Sequence, residues 1–356
     1  MTALIKRLFA EFIVVCIYLA GGLVETTVYP ANQNAIMKKQ FIYSLTERPT
    51  PQCHASTIVQ TRSGRILAAW FGGTREGEID VSIWLSRYEN EKWTKPVKVA
   101  DGVQYLTADG KEFRYPCWNP VLFQPSKGPI MLFYKVGPSP DSWWGMLTTS
   151  SDDGLTWSVP SRLPEGIIGA VKNKPVELED GTLLCGSSTE DNGWRVHFEL
   201  TRNLGKTWIR SVEINNPKQL SAIQPAILKH EAGKLQALGR SRQGKIWESW
   251  STDGGLHWTT PALLELYNPN SGIDAVTLKN GMHVLVYNKT PKGRTPLNIA
   301  ISKDGKDWHD VAILENEAGE FSYPAVIQTS DGLLHITYTW KRISIMHAVV
   351  DPDKLE

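Results

Sequence analysis

Ser150-Ser151-Asp152-Asp153-Gly154-Leu155-Thr156-Trp157 is an octapeptide that the chain repeats. Close copies run Thr201-Arg202-Asn203-Leu204-Gly205-Lys206-Thr207-Trp208 and Ser251-Thr252-Asp253-Gly254-Gly255-Leu256-His257-Trp258. A shortened copy is Ser302-Lys303-Asp304-Gly305-Lys306-Asp307-Trp308, and a worn one is Ser86-Arg87-Tyr88-Glu89-Asn90-Glu91-Lys92-Trp93. Their first residues are 64, 51, 50 and 51 positions apart (150−86, 201−150, 251−201, 302−251). A period near 50 fits one four-stranded blade of a propeller. Five boxes and a final blade without one make six, so the reading is an all-β, six-bladed β-propeller over residues 40–356.

The box has the chemistry of a hairpin turn. Its Asp or Asn bonds back to its own backbone, its Gly takes a positive φ at little steric cost, and its Trp packs between neighbouring turns. These aspartates therefore read as structural. Between the boxes, six pairs of apolar runs read as strands: 56–60 with 66–71, 120–123 with 130–135, 175–178 with 183–187, 225–228 with 235–240, 275–278 with 283–287, and 324–328 with 334–339. Turn signals such as Ser63-Gly64, Asp180-Gly181, Asn280-Gly281 and Asp331-Gly332 join them. Residues 343–350 or 40–45 are expected to complete the last blade and remove its free edge.

Composition excludes several classes. With 38 basic and 37 acidic residues the formal charge is +1, and no run of like charge occurs, which argues against nucleic acid as a partner. The 14 Trp suit both repeat packing and sugar platforms. Residues 1–24 carry Lys6 and Arg7, an apolar stretch and then Ala20-Gly21-Gly22, which reads as a signal peptide or an N-terminal anchor and implies export. No later apolar stretch is long enough to span a bilayer. Cys16, Cys53, Cys117 and Cys185 match neither a disulfide framework nor a zinc motif, and the eight His form no ligand pattern, so no metal or cofactor is demanded.

A propeller gathers the mouths of its innermost strands around one axis, so residues distant in sequence line a single pocket. The candidates there are His54, the loop 72–80 with Arg75, Glu76 and Asp80, residues 114–119 with Trp118 and Asn119, residues 172–174 with Lys174, Gln224, Arg240, residues 270–274 with Asp274, Arg294 and Tyr323.

From about residue 45, carried by the repeated boxes, the chain resembles the exo-sialidases (neuraminidases) and their Asp-box (BNR) relatives. The resemblance implies a hydrolase in which three arginines hold the substrate carboxylate, a Tyr assisted by a Glu attacks the anomeric carbon, and an Asp serves as acid/base. Guanidinium forks match a carboxylate, and a neutral phenol approaches such a centre with less repulsion than a second carboxylate would. Leu238-Gly239-Arg240 resembles the segment of the second arginine, Gly293-Arg294-Thr295-Pro296 that of the third, and Phe321-Ser322-Tyr323-Pro324 that of the nucleophile. The loop 72–80 takes the place of the family's acid/base aspartate and offers Glu76 first, then Asp80, with an Arg75 clamp as the other use of the loop.

Two positions depart from the family. His54 stands where it opens its first blade with an arginine, and Gln224 stands where it keeps the glutamate base. The expected function is release of a terminal acidic sugar, sialic acid or a related ulosonic acid, from a glycan, by a monomer. A mouth His beside a Tyr also resembles propeller lyases and rhamnosidase-like enzymes that act on uronate-containing polysaccharide, with His54 as base. A carbohydrate-binding propeller without catalysis is the third alternative, motivated by Gln224. Trp118 and the Trp143-Trp144 pair are read either as a sugar subsite or as packing.

Overall fold

The structure, a computed structural model, describes residues 32–355, and the 1–24 segment read as signal or anchor lies outside them. Six antiparallel sheets follow one another along the chain. Blade one holds Gln52–Gln60, Ile66–Gly73 and Ser82–Glu89, with Lys92–Trp93 and Val97–Ala100 sharing its outer edge. Blade two holds Cys117–Phe123, Ile130–Val136, Trp144–Ser150 and Ser161–Arg162; blade three holds Val176–Glu177, Leu183–Thr189, Arg195–Thr201 and Ile209–Arg210. Blade four holds Ala222–Lys229, Leu235–Ser241, Lys245–Ser251 and Ala262–Tyr267; blade five holds Asp274–Thr277, His283–Tyr287, Leu297–Ser302 and His309–Glu315. Blade six is made of Phe321–Gln328, Leu334–Trp340, Ser344–Val350 and, outermost, Ile36–Phe41. The first strand of each blade lies innermost. Neighbouring inner strands are stitched together where Leu122 N donates to Thr57 Oγ1 (3.0 Å), Lys229 N to Thr277 Oγ1 (3.0 Å) and Val326 N to Asp274 Oδ2 (2.8 Å).

The ring closes by joining its two ends. Ile36–Phe41 pairs antiparallel with Ser344–Val350, with Lys39 opposite Ala348 and Gln40 opposite His347. The sequence offered 40–45 and 343–350 as alternatives, whereas the last blade uses both ends of the propeller, and the propeller starts at Ile36 rather than at residue 40. Ile42 and Tyr43 leave the strand and pack into blade one, where the Tyr43 ring lies 5.3 Å from that of Trp70.

Four boxes adopt the expected turn. In the first, Ser150 Oγ donates to Asp152 Oδ1 (2.8 Å) and accepts from Gly154 N (2.9 Å), while Asp152 accepts from Thr156 N (2.9 Å) and Thr156 Oγ1 (2.6 Å). The Thr156 and Ser150 bonds hold the Asp152 carboxyl down at about 2, which keeps it ionised and unsuited to proton transfer. Each box also seals a seam between blades. A Cβ on Gly154, Gly205 or Gly255 would come within 2.6–2.9 Å of Leu67, Leu147 or Leu184, each on the preceding blade. Trp258 stacks on Phe198 of blade three, with ring centroids 3.8 Å apart.

The worn fifth copy is a different structure. Asn90 and Glu91 have φ of 48° and 62° in a tight two-residue turn that sets Tyr88 opposite Trp93, and Ser86 Oγ bonds Thr94 O (2.6 Å) instead of a box glycine. Without the Gly the wide box turn cannot form. The long first interval of 64 residues has its cause in an added hairpin, Val103–Leu106 with Glu112–Arg114, between blades one and two.

One irregularity recurs and sets up the site. In four inner strands the ladder to the second strand slips, between His54 and Thr57, Trp118 and Val121, Ile223 and Ala226, and Ser322 and Ala325. Inside each slip one residue has a positive φ: Ala55 (54°), Asn119 (36°), Gln224 (57°) and Tyr323 (52°). Lys172 (69°) does the same just ahead of the inner strand of blade three. A left-handed non-glycine residue costs on the order of 1 kcal/mol or more, and bulges re-aim side chains. Pro follows three of the four, and a residue without an N–H is tolerated where the ladder is already broken.

Candidate active site

The bulges lie at one end of the inner strands. The box turns lie at the other, where Ser63, in the turn between the first two strands of blade one, donates to Asp153 of the first box (2.8 Å). At the bulged end Tyr323 is the hub. It is buried, its ring centroid lies 4.2 Å from that of His54, and the guanidinium carbons of Arg240 and Arg294 stand 5.4 Å and 5.6 Å from it. Gly272 leaves room for this ring, since a Cβ there would approach Tyr323 Cγ and Cδ2 at 3.3 Å. Residues 54, 240 and 294, from three blades, thus meet around the ring of residue 323 on a fourth.

His54 is enclosed by Tyr323 and, edge on, by Phe71 at 5.7 Å. Its Nδ1 is 2.9 Å from Thr339 Oγ1, which also accepts from Ala55 N (3.1 Å). Burial drives its pKa well below the usual histidine value, and the positive charges of Arg342, Arg294, Arg240 and Lys172 drive it the same way. At neutral pH the imidazole is uncharged, the state a base requires.

A third guanidinium stands beside His54. Arg342, in the turn between the last two strands of the chain, donates from Nε to Glu320 Oε1 (2.9 Å) and from NH1 to Glu76. Arg294 donates to the same Glu320 oxygen (3.1 Å) and to Ser322 Oγ (3.2 Å). The alternation Arg294, Glu320, Arg342, Glu76 holds both guanidiniums in fixed positions. The backbone brings Arg342 there because Cys53 N donates to Arg342 O (2.9 Å), next to His54. Arg342 and Glu320 carried no motif in the sequence; Lys341-Arg342 looks like an ordinary charged turn.

Arg240 is 7% exposed, gives NH1 to Asn270 O (3.1 Å), and lies over the Trp194 ring at 5.1 Å. Gln224 is anchored through its backbone, N to Ser188 Oγ (3.2 Å) and O from Asn173 Nδ2 (3.0 Å). Four buried polar atoms here have no hydrogen-bond partner among the described residues: Arg240 Nε, Gln224 Oε1, Asn270 Oδ1 and Ser271 Oγ. Each unmet group of this kind costs about 1–3 kcal/mol, so they mark where a polar ligand would be accommodated. Lys172 adds a buried cation held by Ile273 O (2.7 Å), Asn173 Oδ1 (2.9 Å) and Pro324 O. Burial brings its pKa down to about 7, against the pull of Asp274. Two arginines over Tyr323, a third beside His54 and the nearby Lys172 concentrate positive charge here, which suits an anion.

Other sequence candidates are placed differently. Lys174 and Asp274 form a 2.9 Å ion pair; Lys174 also reaches Ala275 O (3.0 Å), and Asp274 accepts from Val326 N. With Asp274 buried, this pair ties blades three, five and six together. Trp118 takes the packing role: its Nε1 donates to Gly137 O (2.9 Å) and its ring lies edge-on to Phe71 and Trp143, at 6.2 Å and 6.0 Å. Trp144 lies under Arg162 at 4.6 Å. Asn119 is buried at its bulge. On the loop of blade one, Arg75 is largely exposed and pairs with Glu78 (2.7 Å). Asp80 accepts from Thr74 N (2.8 Å) and Thr74 Oγ1 (2.7 Å) and so shapes the loop, while Glu76 is the partner of Arg342. Cys53, Cys117 and Cys185 are buried free thiols, and no cluster of three potential metal ligands occurs among the described residues.

Comparison with known proteins agrees with this architecture. A family model described as a BNR repeat-like domain matches residues 64–336. A protein of unknown function from Dyadobacter fermentans superposes with a TM-score of 0.72 at 16% identity, covering 89% of this chain and 98% of that one. The Hadza microbial sialidase Hz136 superposes at 0.75 with 17% identity, over 88% and 68%. The NanB sialidase of Streptococcus pneumoniae, as its K499G mutant, superposes at 0.71 with 12% identity, over 86% and 69%. At these identities the likeness concerns the fold. No curated protein matches in sequence.

Proposed function

This chain belongs to the BNR repeat-like family, and from that premise we propose that it is a sialidase-like exo-glycosidase acting on the terminal acidic sugar of a glycan. The observation that carries the reading is the enclosure of Tyr323 by the His54 ring at 4.2 Å and two guanidiniums at 5.4 Å and 5.6 Å. The sialidases among the similar structures support the same substrate class. Arg240 and Arg294 hold the sugar's carboxylate, and Arg342 contributes the third positive charge that position 54 does not. Tyr323 Oη attacks the anomeric carbon. With its proton on Nδ1 toward Thr339, neutral His54 leaves Nε2 free to take the phenolic proton, which suits a site where Gln224 offers no carboxylate.

The test is a screen of sugars released from sialosides, Kdo and Kdn glycosides and uronate polymers, with Tyr323→Phe in parallel. Release of a terminal acidic sugar, lost in Tyr323→Phe, is the expected result. Binding without turnover by the unaltered chain contradicts it.

The same ring contact favours one second reading, a lyase. There, Arg240 and Arg294 neutralise a uronate carboxylate, His54 withdraws the proton from the adjacent carbon, and Tyr323 protonates the leaving oxygen. Its product carries a carbon–carbon double bond that absorbs in the ultraviolet, which hydrolysis does not make.

A further inference from the structure

Position 224 lacks a carboxylate, and the strand of the neighbouring blade that contacts it ends next to one. Glu190 directly follows Leu183–Thr189, the second strand of blade three, which runs against the Gln224 bulge: Ser188 Oγ accepts from Gln224 N (3.2 Å), and a Cβ on Gly186 would meet Pro225 O at 2.6 Å. A tight turn follows, with Asp191 bridged to Gly193 and Gly193 at φ 89°. It folds Trp194 back so that the indole acts on the Glu190 carboxyl and lowers its pKa. That indole, 7% exposed, carries Arg240 at 5.1 Å and Arg242 at 4.3 Å, and Arg240 in turn lies on the Tyr323 ring at 5.4 Å.

Resting on the reading of the site as a glycosidase, we propose that Glu190 is its proton-transferring carboxyl, supplied by blade three rather than by the 72–80 loop. The carboxylates of that loop are engaged: Glu76 with Arg342, Glu78 with Arg75, and Asp80 with Thr74. Glu320 is shared by Arg294 and Arg342. Among the described residues Glu190 has no such ion-pair partner within salt-bridge distance, and burial raises its pKa above the usual value, against the pull of Arg240, Trp194 and Arg242. A carboxyl poised nearer neutrality is the one able both to give and to take a proton.

The step balances. As Tyr323 Oη bonds to the anomeric carbon and passes its proton to His54, the glycosidic C–O bond breaks, its electron pair goes to the leaving oxygen, and Glu190 protonates that oxygen. Water then attacks the same carbon and yields its proton to the Glu190 carboxylate, and the released phenolate recovers its proton from His54.

The experiment compares Glu190→Gln with Glu76→Gln and Asp80→Asn, each checked for an unchanged melting temperature. Glu190→Gln is expected to lose on the order of 100–10,000-fold in kcat on a sugar-linked substrate. It should lose much less on a nitrophenyl glycoside, whose leaving group needs no proton, and azide should restore part of the rate. The limb of the pH profile that reports the acid should vanish in this variant alone. Retention of that limb and of the ratio between substrates, or their loss in Glu76→Gln instead, overturns the proposal. Calorimetric binding of the free acidic sugar between pH 4 and 8 is the second readout, independent of turnover. Glu190→Gln should abolish a proton-linked step present in the parent, and unchanged proton linkage overturns the assignment. A parent chain that binds but hydrolyses nothing defeats the glycosidase reading, while this binding arm still decides Glu190.

Discussion

Replacing Arg240 with lysine keeps the positive charge and removes the fork, so it separates general attraction for an anion from bidentate recognition. Arg240 gives NH1 to Asn270 O (3.1 Å), while its buried Nε has no partner among the described residues. On the proposed reading, the edge carrying Nε is the part that meets the ligand carboxylate. A hydrogen bond to a charged group contributes about 1.5–3 kcal/mol, and loss of the stacking over Trp194 and Tyr323 adds about 0.5–2 kcal/mol. At roughly 1.4 kcal/mol per factor of ten, one lost bond corresponds to a drop of about 10- to 150-fold in kcat/KM. Arg240→Ala should fall further, because Nε, NH1 and the ring contacts all disappear. The assay is kcat/KM on the acidic-sugar glycoside found by the screen, beside calorimetric affinity for the free acid and for its neutral methyl ester. Arg240→Lys should weaken the acid strongly and the ester little. Equal loss for both, or no loss for either with the fold intact, refutes the assignment of Arg240 to the carboxylate.

Two further outcomes probe the scaffold. Gly255 has φ 85°, and an added Cβ would meet Leu184 at 2.6 Å, so Gly255→Ala should destabilise the protein by about 1–3 kcal/mol in denaturant unfolding; a change within a few tenths of a kcal/mol contradicts the seam-sealing role. In blade six His335 Nδ1 lies 2.9 Å from His347 Nε2, and burial brings their pKa values down to about 4 and about 3. Both folded values lie below the unfolded 6.5, so this contribution is complete above pH 6.5 and is lost as pH falls toward 3–4, on the order of 3 kcal/mol for the coupled pair. Unfolding midpoints from pH 7.5 to 4.5 should decline in the parent and less steeply in His347→Gln; equal slopes contradict the assignment.

Much of the ring was legible because boxes and hairpin turns are local chemistry. Ser150, Asp152 and Gly154 satisfy one another within five residues, so their pattern survives in the sequence. The worn copy misled because Ser86 and Trp93 kept the spacing after the glycine had gone. Closure by Ile36–Phe41 was read only in part, since an edge strand that alternates half-buried and exposed residues and has no buried one carries a weak signal. His54, Arg240, Arg294 and Tyr323, which the structure brings together, were singled out through resemblance, and the Pro after Tyr323 and Gln224 is the local trace of the bulges at those positions. Arg342, Glu320 and Glu190 were missed because their meaning depends on contacts across 22 to 266 positions, as in Arg342 with Glu320 and Glu76, and no local spacing encodes such contacts. Trp118 was left open between subsite and packing because aromatic residues beside a mouth look alike in sequence whether they face solvent or each other.

The central claim is that ring closure creates one anion-binding cavity around Tyr323. A crystal structure with a bound acidic monosaccharide, such as sialic acid or its 2,3-unsaturated form, tests it most directly. The expected result is a carboxylate within hydrogen-bond distance of Arg240 and Arg294 and the anomeric carbon about 3–3.5 Å from Tyr323 Oη. A sugar seated on the box face or the outer strands, with the Tyr323 cavity holding only water, contradicts it.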